Sequence, residues 1–177
     1  MQLLPLRFHK WMAEIACPRA GANEPPLRAE LFSVEQLARH ARTLAASQTV
    51  VTRRGSNWLL SRLGQNEDIL RTFNRASIAV DQSRRITPAA EWLLDNFYLI
   101  EEQIQMAKRH LPSGYSQELP RLLNGPSAGL PRVYDIVLEL ISHVDAQIDA
   151  EPLSAFIAAY QTVHSLKLGE LWAIPIM

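Results

Sequence analysis

The sequence has one cysteine, no excess of either charge and no long hydrophobic run. The single thiol, Cys17, cannot form an intramolecular disulfide and gives no cysteine spacing for zinc, which is typical of a reducing cytosol. Eighteen basic and eighteen acidic side chains leave no net charge to attract nucleic acid or an anionic membrane. No window approaches about eighteen uninterrupted apolar residues. We therefore expect a cytoplasmic chain with no nucleic-acid partner and no membrane span within it.

The sequence also lacks the local motifs of catalysis and metal binding. It contains no glycine-rich phosphate loop, no GxSxG and no CxxC. Its histidines form no HxH or HxxxH pair. They are His9, His40, His110, His143 and His164. We therefore predict no catalytic residue, no metal site and no cofactor in this chain.

Helical periodicity is the main positive signal. The 177 residues, 47% of them hydrophobic, are enough for one domain with a core. Apolar residues repeat at helical spacing, and no stretch alternates at period two for long enough to predict a strand. The predicted fold class is all-α, as an antiparallel helical bundle or stacked helical hairpins of about five to seven helices.

Residues 1–32 lie outside this periodic pattern. Four prolines and Gly21 interrupt them, which predicts an irregular N-terminal arm with one short helix near residues 8–16. A single helical domain should occupy residues 33–177. It should begin with the capping box Ser33-x-x-Gln36, in which the serine hydroxyl accepts a backbone N–H and the glutamine reaches back. A helix of about four turns should follow.

Glycine, proline and capping residues predict the next helix boundaries. After Gly55-Ser56, one segment should end at Gly64, and Asn66 should cap a new helix. Thr87-Pro88 is the clearest start, because threonine offers a cap and proline at the first helical position loses an N–H that has no partner there. That helix should run to about His110.

Residues 112–130 are rich in proline, glycine and serine and should form a long crossing loop. We expect at most one short helical turn in it, at residues 119–123. The basic pairs Arg53-Arg54 and Arg84-Arg85 should lie in solvated loops. The last helices should begin at Pro131, in the turn from Asp149 to Pro152, and near Leu168.

The helix predicted from residue 88 carries a cluster of carboxylates and aromatics. At about 100 degrees per residue, its apolar side chains fall along one stripe. They are Leu93, Phe97, Ile100, Ile104 and Leu111. We define the carboxylate face as Glu91, Trp92, Asp95, Tyr98 and Glu102.

Two interpretations of the carboxylate face remain open, and the spacing favours the first. It is either the wet side of an ordinary amphipathic helix, or a surface that contacts a partner or sugar hydroxyls. In the second case Trp92 would be a stacking platform. Consecutive turns of one helix do not place two carboxyls across a cleft, so no acid and base pair for glycoside chemistry is predicted.

The sequence ends on an apolar run from Trp172 to Met177. Such a run either docks into the core or is followed by further chain in the natural polypeptide, and we expect continuation. Apolar side chains exposed there would form a surface that seeks a partner. The candidates are Leu171, Trp172, Ile174 and Ile176.

Five segments together resemble the N-terminal region of bacterial cyclic β-1,2-glucan synthases. They are PLRAELFSVEQLARHA at 26–41, RRITPAAEWLLDNFYLIEEQI at 84–104, LPSGYSQELPRL at 111–122, GLPRVYDIVLELISHVD at 129–145 and AYQTVHSLKLGELWAIPIM at 159–177. The resemblance covers about residues 25–177 in the same order, so it is more specific than a lone motif.

The resemblance implies a much larger parent enzyme. That glycosyltransferase uses UDP-glucose to build β-1,2-linked glucan on itself and closes the chain into a ring. In the family, the glucosyltransfer domain is associated with membrane segments at the cytoplasmic face of the inner membrane, and a phosphorylase-like domain lies near the C-terminus. None of the catalytic signatures of these domains occurs in this sequence, so the resemblance supplies no catalytic residue.

The sequence therefore predicts a non-catalytic helical N-terminal module, or a fragment, of a cyclic β-1,2-glucan synthase-like protein. Its expected role is domain docking or architecture, with the remainder of the synthase or another helical surface as partner. The alternatives are a helical domain that binds β-1,2-glucan through the carboxylate face and a stand-alone protein-interaction domain.

Overall fold

The computed structural model describes residues 30–81, 87–144 and 148–177, without the side chains of residues 80 and 81. Residues 1–29 of the predicted arm, its short helix and the pair Arg84-Arg85 lie outside this part of the chain. The elements are α1 Val34–Ser47, β1 Val50–Val51, α2 Trp58–Asp81, α3 Pro88–His110, α4 Ser113–Glu118, β2 Arg121–Leu122, α5 Arg132–Ser142, α6 Ala150–Gln161, α7 Leu168–Ala173 and a 3-10 helix Ile174–Ile176. The prediction of an all-α protein is confirmed. Within the described ranges, no helix is both long and apolar enough to span a membrane.

The hydrophobic core lies where α1 packs against α6, with α5 and α7 beside them. Small side chains on α1 allow close approach, since Ala41 and Ala45 are fully buried. Phe156 and Tyr160, one turn apart on α6, are the largest fully buried side chains. Burying an aromatic ring of this kind stabilises the fold by roughly 1.5 to 3 kcal/mol.

The long helices α2 and α3 form a hairpin beside this core, and α3 also contacts the 3-10 helix. On α3, Ile104 is buried, and the stripe residues Leu93, Phe97 and Ile100 are half-buried. The carboxylate face on the same helix is exposed. The helix α3 is therefore amphipathic, as the sequence predicts.

Local capping signals give the correct helix starts. Ser33 Oγ accepts the Gln36 N–H at 3.3 Å, and the Ser33 N–H donates to Gln36 Oε1 at 2.7 Å. Thr87 Oγ1 accepts the Ala90 N–H at 3.3 Å, and Pro88 begins α3. The capping box and the helix from Pro88 to His110 are confirmed.

The predicted break at Gly64 is wrong, because α2 continues through it from Trp58 to Asp81. A glycine inside a helix costs about 1 kcal/mol relative to alanine, which one good tertiary contact offsets. That contact is supplied later in the helix, where Glu67 and Arg71 bind α3. Asn66 therefore lies inside a helix and does not cap one.

The helical turn predicted at residues 119–123 is also wrong. The turn lies earlier, as α4, and Leu119 is already extended at ψ 136° because it precedes Pro120. The chain then forms β2, which pairs antiparallel with β1 in the register Val50 to Leu122. The sequence predicts no strand, and these two-residue strands are too short to show a period.

The apolar terminal run packs partly on the core. Ala173 and Ile174 are 0% and 8% exposed, so the expectation of an exposed Ile174 is wrong. Leu171 and Ile176 are half-buried, whereas Trp172 is 69% exposed. Ile174 begins the 3-10 helix and is buried, whereas Trp172 near the end of α7 keeps its indole on the surface.

Candidate functional site

The carboxylate face lies on the exposed side of α3. Trp92 and Tyr98 are 61% and 64% exposed, and Glu91, Asp95 and Glu102 are exposed as well. In the part of the chain that the structure describes, these three carboxylates have no side-chain hydrogen bond or ion pair. The face is therefore open to solvent.

The neighbouring carboxylate, Glu101, belongs to an ion-pair cluster that joins α3 to α2. Arg71 Nη2 lies 2.7 Å from Glu101 Oε1 and 2.9 Å from Glu67 Oε1. Lys108 also donates to Glu67, as does Gln105 Nε2 at 2.9 Å. The hydrogen bond from Lys108 is the main reason that the pKa of Glu67 lies below its usual value. This cluster holds α3 in place and so sets the direction of the carboxylate face.

A buried ion pair joins α5 to α7. Arg132 Nε lies 2.5 Å from Glu170 Oε1, and Arg132 Nη2 lies 2.7 Å from Glu170 Oε2. The two side chains are 7% and 1% exposed. Burial lowers the pKa of Arg132, but the hydrogen bond and charge of Glu170 outweigh it, and the net pKa is raised. Glu170 also accepts the Lys167 N–H at 2.9 Å, so this bidentate pair fixes the start of α7.

A second buried chain of hydrogen bonds crosses the core. Tyr160 Oη donates to Gln48 Oε1 at 2.5 Å, and Gln48 Nε2 donates to Asp135 Oδ2 at 2.8 Å. Burial raises the pKa of Tyr160, which keeps the phenol protonated. The arrangement satisfies polar groups between α1, α5 and α6, as the core requires.

Arg121 is a buried cation held by backbone carbonyls. Its guanidinium donates to the carbonyl oxygens of Ser56 at 2.7 Å, Gly129 at 2.8 Å and Ser116 at 3.0 Å. Burial lowers its pKa. A Cβ at Gly55 would lie 1.7 Å from Arg121 Nε, so any larger residue there would displace the guanidinium. Arg121 therefore joins the backbone at residues 56 and 129 to α4 and does not point to a ligand.

His40, Glu139 and His143 form what we call the histidine cluster. His40 Nε2 lies 2.9 Å from Glu139 Oε2, and His143 Nε2 lies 3.8 Å from the same oxygen. One ligand atom from each residue lies within 4.8 Å of the others. His143 Nδ1 is 2.7 Å from the carbonyl oxygen of Glu30, and the ring of Phe32 stacks on His143 at 3.9 Å. These three side chains could hold a metal ion.

An apolar groove lies where the C-terminal end of α3 meets α7 and the 3-10 helix. Two adjoining cavities of about 280 and 390 Å³ open there. We define this terminal groove by Met106, His110, Leu168, Trp172 and Ile176. Leu168 is 71% exposed and Trp172 is 69% exposed. An exposed tryptophan beside an apolar depression is typical of an anchor for protein contact.

The sequence identifies the carboxylate face and the exposed Trp172, but it misses the histidine cluster. The absence of a local histidine pair led us to predict no metal site, yet the fold brings His40 next to His143 from another helix. The spacing of Glu139 and His143 by four residues, which places both on one side of α5, is the one local signal available.

Comparison with known proteins gives one informative similarity. No protein-family model matches the chain. The chain is 35% identical over 116 residues to the cyclic β-(1,2)-glucan synthase NdvB of Rhizobium meliloti. Those residues make up 65% of this chain but 4% of NdvB, so the chain matches a very small part of that protein. The predicted resemblance to cyclic β-1,2-glucan synthases is confirmed.

Proposed function

We propose that this chain is a non-catalytic helical module of a cyclic β-1,2-glucan synthase-like glucosyltransferase and that its role is domain docking. The single observation that carries the proposal is the asymmetry of the similarity. Most of this small helical chain matches NdvB, whereas almost all of NdvB lies outside the match. A segment that matches such a small part of a synthase is suited to support the activity of the rest of that enzyme. The proposed partner is accordingly the remainder of such a synthase, which would use UDP-glucose at the cytoplasmic face of the inner membrane.

The buried polar groups of the chain support a structural role. Arg132 and Glu170 neutralise each other, Tyr160 is hydrogen-bonded and kept neutral by burial, and Arg121 binds carbonyls. Each of these side chains makes hydrogen bonds that hold the fold together, Arg121 through its two terminal nitrogens, and each is withdrawn from solvent. A catalytic acid or base would instead need to reach a bound substrate.

The terminal groove is the proposed docking surface. Its exposed Leu168 and Trp172 lie beside the apolar wall made by Met106 and Ile176. Covering such side chains removes apolar surface from water, and tryptophans are frequent energetic centres of interfaces. The interaction should therefore depend on a few apolar groups in this groove.

The test uses NdvB from which the matching segment has been deleted, together with the purified full-length chain. Binding of the chain should be measured, and UDP-glucose consumption should be followed with each component alone and with both. We expect the two proteins to bind, and the chain alone to leave UDP-glucose unchanged. Leu168→Asn should weaken binding by at least about tenfold. Leu123→Asn is the matched control, because Leu123 is 60% exposed but does not line the groove.

Three results would each contradict part of this proposal. Consumption of UDP-glucose by the isolated chain would contradict a non-catalytic role. Equal binding by the Leu168 and Leu123 variants would contradict docking through the terminal groove. Failure of the chain to bind the deleted synthase would remove the docking proposal and favour a stand-alone interaction domain.

The exposed Trp92 favours one alternative function, the binding of β-1,2-glucan by the carboxylate face. An indole that is 61% exposed can stack on a sugar ring, and exposed carboxylates beside it can accept hydrogen bonds from hydroxyls. Nuclear magnetic resonance with a β-1,2-gluco-oligosaccharide tests this. Shifts confined to Trp92, Tyr98 and their neighbours would support glucan binding, and unchanged spectra at millimolar ligand would refute it. Trp172→Ala is the control variant, since the indole of Trp172 is similarly exposed but lies on α7.

A further inference from the structure

We propose that His40, Glu139 and His143 bind a divalent transition-metal ion of the zinc class. The three side chains come from two parts of the chain, since His40 lies in α1 and Glu139 lies in α5. His143 is the residue that ends α5. Packing of α1 beside α5 therefore assembles a set of two imidazoles and one carboxylate. This set is a common one for zinc, with a further position left for water or another ligand.

The tautomer of His143 is the first step in the argument. The carbonyl oxygen of Glu30 can only accept a hydrogen bond, so His143 Nδ1, at 2.7 Å from it, carries a proton. In the neutral ring, Nε2 then presents its lone pair toward the cluster. A metal-bound histidine shows this arrangement, in which the other ring nitrogen donates to a carbonyl or carboxylate.

The second step concerns Glu139. Its Oε2 lies 3.8 Å from His143 Nε2, so this carboxylate oxygen and a ring nitrogen of His143 lie side by side at more than hydrogen-bond distance. The same oxygen lies 2.9 Å from His40 Nε2. A metal ion placed among the three atoms would be attracted by the carboxylate and would bind all three ligand atoms at once.

The distances are compatible with a small metal ion. In a tetrahedral site with bonds of about 2.0 to 2.1 Å, two ligand atoms lie about 3.3 Å apart. The separations of 2.9 and 3.8 Å lie on either side of that value. All three ligand atoms lie within 4.8 Å of one another, so a modest side-chain rotation is enough to reach this spacing. Such a movement is small for His40 and Glu139, whose side chains are 27% and 35% exposed.

The surroundings of the cluster favour zinc over magnesium or calcium. Imidazole nitrogens suit zinc and its neighbours, whereas magnesium and calcium prefer oxygen ligands alone. Phe32 covers the buried side by stacking on His143 at an interplanar angle of 6°. The partly exposed His40 and Glu139 leave an entry path from solvent. Metal binding would tie α1, α5 and residues 30–32 together.

The experiment is a calorimetric titration of the full chain with zinc chloride after chelator treatment and buffer exchange. We expect one equivalent of zinc to bind. His40→Gln or Glu139→Gln should weaken binding by at least about tenfold. The matched controls, His164→Gln and Glu118→Gln, remove the same chemical groups from positions outside the cluster and should leave binding unchanged. At zinc about a hundredfold above Kd, the melting temperature should rise by about 5 to 10 °C.

A second measurement keeps the test independent of variant folding. In the unaltered chain, zinc should shift the ring-nitrogen resonances of His40 and His143 and leave those of His164 in place. Absence of binding at about 100-fold molar excess of zinc would overturn the proposal. Binding that persists unchanged in His40→Gln would also overturn it, because the metal would then be held elsewhere.

Discussion

Replacing Glu170 by glutamine should test whether the buried ion pair holds the fold. Glutamine keeps the size of the side chain and one acceptor oxygen, but it leaves Arg132 as a buried cation that is 6% exposed. Removing one partner of a buried pair costs about 3 to 5 kcal/mol. Because glutamine can still accept the Lys167 N–H and one guanidinium N–H, we expect the lower value, about 3 kcal/mol.

Urea denaturation is the assay. The free energies of unfolding of the two proteins are compared, provided that both have the same dependence on urea concentration. Glu102→Gln is the matched control, because that exposed carboxylate on α3 should change stability by less than about 0.5 kcal/mol. A double variant, Arg132→Met with Glu170→Met, should be more stable than Glu170→Gln alone, since it removes both charges. A cost below about 1 kcal/mol for Glu170→Gln would refute the reasoning, as it would show that Arg132 finds water or another partner.

Three further predictions concern substitutions at single residues. Gly55→Ala should destabilise the protein by about 1 to 3 kcal/mol in a thermal or urea melt, because its Cβ would overlap the Arg121 guanidinium. Gly64→Ala, with open space around the added Cβ, should instead stabilise by about 0.5 to 1 kcal/mol. The pKa of Glu67 is lowered by its hydrogen bond from Lys108, so this contact stabilises above the ordinary glutamate pKa and is lost as pH falls through the lowered value. Lys108→Met should make the free energy of unfolding fall less steeply as pH falls through this range. An unchanged slope would contradict this prediction.

The helix starts could be predicted because their determinants lie within one turn of chain. Ser33 needs only Gln36 to complete its capping box, and Thr87 needs only the backbone of Ala90. The end of α3 is similarly local, since Pro112 follows directly after its C-cap Leu111. These features depend on residues that stand close together in the sequence.

The failed predictions depend on contacts between distant residues. Gly64 remains helical because Glu67 and Arg71 further along α2 bind α3, and a local propensity of about 1 kcal/mol cannot reveal that gain. The strand at residues 121–122 exists because residues 50–51 lie beside it. Neither strand has enough length to show a period of two.

The same reasoning explains why the candidate surfaces differ in how far they can be predicted. The carboxylate face lies on one helix, so the angular spacing of residues along that helix is enough to define its members. The histidine cluster requires α1 to pack beside α5 and the backbone of Glu30 to reach His143 Nδ1. A search for closely spaced histidines cannot find such a site, because the fold supplies the proximity that the spacing lacks. In an all-α protein without local motifs, residues brought together by helix packing are therefore the first place to look for ligand binding.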